Sequence, residues 1–136
     1  MDRYDQTRYV IQLGRAVKHA MQVRTQLLRE FADLDNHPTT ALLRAGRIGS
    51  RCAPAFDEAR RAVAELPTPQ GAQLLRDALL GWLDVHVQTC DVLMRAGGTR
   101  ETGHLTTASA ILRNAHPYAV RYNLARRNLA QRLVAA

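Results

Sequence analysis

The sequence predicts an all-α fold: one domain over residues 1–136, built as a four-helix, mostly antiparallel bundle with proline-kinked second and fourth helices. Three observations predict it. Apolar residues recur three and four apart through four long segments, the signature of helices that bury one stripe. Hydrophobic residues make up 46% of the chain but aromatics only 5%, which suits an Ala/Leu-rich helical core rather than a sandwich or barrel. Helix breakers gather at three places, Asp35–Pro38, Leu66–Pro69 and Gly97–Gly98, and these separate the four segments.

The first helix is expected from about Asp5 to Leu34. Val10, Leu13, Val17, Ala20, Arg24, Leu27, Phe31 and Leu34 form a heptad-like seam, in a rod roughly 45 Å long at ~1.5 Å per residue. Arg24 falls in that seam. Its guanidinium must reach the edge of the core or meet a carboxylate, because a buried unpaired charge is too costly, and snorkelling is the expected solution. Pro38 disfavours the helical conformation at His37, and Asp35 and Asn36 favour a turn.

Thr39 to Leu66 reads as one helix bent at Pro54. Leu42, Ala45, Gly49, Cys52, Phe56, Ala59, Val63 and Leu66 keep a single seam in phase across the proline, whose ring removes one backbone bond. The competing reading breaks the segment near Gly46–Ser50 and has the outline of a helix-turn-helix. The unbroken seam favours the single helix. Leu66-Pro67-Thr68-Pro69 then forms a short, stiff connector.

The third segment, Thr68 to Ala96, is the most apolar and is expected at the centre. Thr68 and Pro69 read as N-cap and first helical residue, and Gly97-Gly98 as a left-handed C-cap. Leu75, Leu79, Leu83, His86, Cys90 and Leu93 mark its main stripe, widened by Leu74, Ala78, Trp82, Val85 and Met94. The last helix is expected to start near Thr102 or Gly103. Its seam runs through Leu105, Ala108, Leu112, Ala115, Ala119, Tyr122, Arg126, Leu129 and Leu133. Pro117 should bend it at Arg113 and Asn114, where a hydrogen bond is lost.

The catalytic constellations fall short, and the protein is not expected to be an enzyme. Four glutamates and one Glu-x-x-His, Glu101 to His104, are too few ligands for a di-iron bundle. His86, Cys90 and Cys52 could offer three metal ligands with no fourth in view. A core histidine bonded to a backbone or hydroxyl group, with Thr89 near enough in sequence to take part, and two buried free thiols is the preferred reading, so no metal and no cofactor are expected. Asp77, Asp84 and Asp91 line one edge of the third helix, two turns apart. That spacing suits pairing with arginines of a neighbouring helix better than acid–base chemistry. No phosphate loop or dinucleotide fingerprint appears, and no small-molecule substrate is expected.

Charge is the most informative functional feature. The chain carries 19 Lys and Arg against 12 Asp and Glu, for a net charge of +7. The excess concentrates at the end: residues 99–136 hold six arginines and one acid, Glu101, for +5. On the last helix Arg113, Arg121, Arg127 and Arg132 accompany Tyr118 and Asn123. Arginine neutralises phosphate, asparagine bonds bases or sugars, and tyrosine stacks on an unpaired base. The expected function is therefore non-catalytic binding of RNA, DNA or another acidic macromolecule through this helix. The alternative is an assembly module, a homodimer or a small subunit of a larger complex, docking by a strip that includes Leu124, Val120 and Leu28. No apolar run approaches the ~20 residues that span a bilayer. The polar first residues lack a signal-peptide core, so no membrane contact and a cytoplasmic location are expected.

Overall fold

The computed structural model describes residues 3–135 and is an all-α bundle. Its elements are α1 (Arg3–Asp33), one 3₁₀ turn (Leu34–Asn36), α2 (Ala41–Glu65), α3 (Gln73–Thr99), α4 (Gly103–Arg113) and α5 (Ala115–Ala135). The core is continuous. Leu13, Val17, Ala20, Val23 and Leu27 from α1 join Ala45, Cys52, Phe56, Ala59 and Val63 from α2 and the stripe of α3. Tyr9 is also buried, one turn before the expected seam settles into register. α3 packs against α2, α4 and α5, while α1 packs chiefly against α2.

Two glycines hold the α2–α3 contact. A Cβ at Gly49 would lie 2.5 Å from the Cys90 carbonyl oxygen and 3.0 Å from the Met94 nitrogen. A Cβ at Gly97 would lie 2.7 Å from the Gly46 Cα. Two helix backbones therefore meet where either side chain would hold them apart. This is why α2 runs unbroken through Gly46 and Gly49, and no helix-turn-helix forms. Pro54 stays inside α2. Pro54 and Ser50, whose carbonyl loses its bond to the proline, both lie on the exposed face, where an unpaired carbonyl costs far less than in the core.

Several expected boundaries are corrected. α3 begins at Gln73, with Ala72 in the N-cap position, not at Thr68 and Pro69. Gly71, at φ +90°, lets the chain turn before the helix starts. α3 ends beyond Gly97-Gly98, and the left-handed cap falls on Arg100, at φ 60°. The expected single last helix is two. Its ladder stops at Asn114, whose N–H donates to the Ile111 carbonyl at 2.9 Å, and α5 starts at Ala115. Pro117 thereby occupies the first turn of a new helix, where its missing N–H is harmless.

Leu74, expected in the widened α3 stripe, is instead 77% exposed. Among the described residues no helix is long and apolar enough to cross a membrane.

Candidate binding interface

α5 is fixed on the bundle by few but specific contacts. Ala115 and Leu129 are buried, and Tyr122 is half-buried, its hydroxyl pKa raised chiefly by burial. Tyr118 supplies the closest approach. A Cβ at Gly81 of α3 would lie 2.3 Å from the Tyr118 Cε1, so the ring rests on helix backbone that only glycine leaves uncovered. Arg121 also lies over the ring, with Cζ 5.3 Å from the centroid, a cation–π contact between residues three apart on the helix. Tyr118 is consequently a packing residue.

The arginines are distributed around the helix rather than along one face. Arg113, Arg121, Arg127 and Arg132 are all exposed, as are Asn123 and Arg126. Among the described residues none of these guanidiniums lies within 4.0 Å of a carboxylate. Two of the aspartate row are engaged elsewhere: Asp84 accepts from Arg60 at 2.9 Å, and Asp77 lies 3.6 Å from Arg76 and accepts from Gln73. Arg121, Asn128 and Arg132, spaced by seven and four, share one stripe of α5. Asn123 and Arg127, four apart, share another that faces away from the bundle. Arg113 closes α4, where a cation also complements the helix dipole.

The first stripe borders a trough between α5 and the start of α3. Two depressions of about 540 and 320 Å³ run into each other, sharing Leu74, Ala125 and Asn128. Leu74, Leu75, Ala78 and Leu129 give an apolar floor, Leu124 a lip, and Arg121 and Arg132 stand at opposite ends. The Arg132 guanidinium donates to the Gly71 carbonyl at 3.4 Å, which holds it across the trough end. The sequence could not announce this feature. Leu74 carries helical spacing suited to the core, yet in the first turn of α3 it stands exposed. The anticipated strip of Leu124, Val120 and Leu28 is not one surface, because Leu28 is half-buried on α1.

The buried polar groups are internal to the core. His86 is fully buried and its Nδ1–H donates to the Trp82 carbonyl at 2.8 Å. Its ring lies against those of Trp82 and Phe56, at 4.1 and 4.9 Å. Burial pushes its pKa down to about 4, and the Arg24 charge acts the same way. Arg24, half-buried, meets no carboxylate among the described residues; its guanidinium lies over the Trp82 indole at 5.7 Å. Thr89 donates to the Val85 carbonyl, not to His86. Cys52 and Cys90 are buried free thiols with pKa values raised chiefly by burial, that of Cys90 to about 12. Among the described residues no three His, Cys, Asp or Glu side chains cluster to hold a metal ion. Comparison with family models, curated proteins and solved structures finds no match to this chain.

Proposed function

We propose that this chain is a non-catalytic binding module that engages an acidic macromolecule, nucleic acid in the first instance, through α5 and the end of α4. One observation carries the reading: the guanidiniums of Arg113, Arg121, Arg127 and Arg132 are exposed, and among the described residues no carboxylate within 4.0 Å neutralises any of them. Arg51, Arg60 and Arg61 hold carboxylate partners, and while other exposed cations such as Arg15, Lys18, Arg29 and Arg95 are scattered over α1 to α3, the carboxy-terminal segment gathers six arginines against one acid. A polyanion meeting this surface gains the release of its condensed counterions, and Asn123 beside Arg127 adds hydrogen bonds to sugars or bases. Since Tyr118 is packed on Gly81, recognition rests on the backbone charge of the ligand more than on stacking.

Charge reversal tests it. Arg121→Glu combined with Arg127→Glu changes two exposed side chains and leaves the core untouched. The double variant is expected to fold normally and to bind a labelled single-stranded oligonucleotide at least about tenfold more weakly. Unchanged affinity in the double variant, or no binding by the unaltered protein at low salt, overturns the proposal.

A further inference from the structure

The trough between α3 and α5 has a chemistry that nucleic acid does not exploit. Its floor and lip are leucine and alanine: Leu74 is 77% and Leu124 55% exposed, with Ala78 and Ala125 between them. Phosphate and sugar gain nothing from burying leucine. The trough is also elongated: from Tyr118 to Arg132 the helix rises about 21 Å at ~1.5 Å per residue, the length of roughly four helical turns. Charge sits at its ends, with Arg121 at one and Arg132, braced on Gly71, at the other. Asp77, the one acid on its wall, is held by Gln73 and Arg76.

We infer that this trough is the docking site for an amphipathic, acidic α-helix of a partner protein. An apolar stripe at positions i, i+3 or i+4, and i+7 would cover Leu74, Ala78, Leu124 and Ala125. Carboxylates flanking that stripe near its two ends, about three turns apart, would meet Arg121 and Arg132, and a polar residue midway would meet Asn128. Charge complementarity selects this occupant over a second copy of the chain. The protein carries +7 overall and +5 in residues 99–136, so a second copy would bring like charge to an already basic face. The site goes beyond the proposed polyanion surface: it shares Arg121 and Arg132 with that surface, but its apolar contacts come from Leu74 and Leu124, which the polyanion reading does not use.

The test uses the full chain and a designed peptide of about 18 residues. The peptide carries leucines at helical spacing, glutamates near both ends of the stripe and alanine elsewhere. A scrambled peptide of the same composition, a lysine-for-glutamate version and a single-stranded oligonucleotide serve as comparisons. Fluorescence anisotropy is expected to show binding of the acidic helix at least about tenfold tighter than either peptide control. Leu74→Ser and Leu124→Ser alter exposed positions, so folding is preserved; together they should weaken the acidic helix about tenfold or more and leave oligonucleotide affinity within about twofold. Equal binding of scrambled and acidic peptides overturns the inference, as does indifference to the two serine substitutions. Sedimentation showing a dimer that the same substitutions dissociate also overturns it, by assigning the trough to a second copy. Loss of oligonucleotide binding alone counts against the polyanion reading and leaves the trough standing.

Discussion

His86 sits between the rings of Phe56 and Trp82 with one nitrogen bonded to a backbone carbonyl and Nε2 buried without a partner. Such a site holds imidazole and resists imidazolium. With the folded pKa pushed to about 4 from an ordinary 6.5, the unfolded chain binds the extra proton throughout that window. Stability is therefore full above pH 6.5, falls as pH drops and levels off below about 4, a loss of about 3 kcal/mol from this group. Urea denaturation across that range should show the fall, and His86→Leu should flatten it relative to the unaltered protein. The two cysteines make a second residue-scale case. Buried and raised in pKa, neither should react with a thiol reagent in the native protein at pH 8, and both should react once unfolded. The positions of His86, Cys52 and Cys90 in the core were legible because each falls on a helical seam. The place of Arg24 over Trp82 was not: seam spacing shows that a charge points inward, but not which ring of another helix receives it.

At the scale of elements, the glycines divide by what they touch. Gly49→Ala drives a methyl to 2.5 Å from the Cys90 carbonyl, and α3 backbone cannot step aside. A loss of about 2–3 kcal/mol is expected from thermal or urea unfolding, with Gly97→Ala behaving alike. Gly14→Ala on α1 meets nothing within 4 Å and should stabilise by roughly 0.5–1 kcal/mol through the unfolded chain and helix propensity. Reading the sequence, Gly46 and Gly49 weigh as weak points of a helix and Gly97 as a cap. Their true use, close approach of α2 to α3, depends on a neighbour that propensity does not see. Prolines show the same limit. Pro54 and Pro117 carry the same local signal, yet α2 continues past one and the chain restarts a helix to accommodate the other. α2 is held on both sides of Pro54 by Gly49 and Phe56 against the core, whereas Asn114 is exposed and free to end a ladder.

Across the whole molecule, the carboxy-terminal segment holds the densest excess of positive charge, six arginines against one acid over residues 99–136. Their concentration was visible in the sequence, since no acid follows Glu101. Their division into an outward stripe and a trough-side stripe was not, because it depends on how α5 is rotated over Gly81. The central claim is that these charges serve an external polyanion. Its most direct measurement is the affinity of the full chain for a labelled single-stranded oligonucleotide as salt is raised. Engagement of four arginines predicts that log K falls linearly with log salt at a slope of about −3. Binding that is absent at low salt, or that stays flat as salt increases, contradicts it.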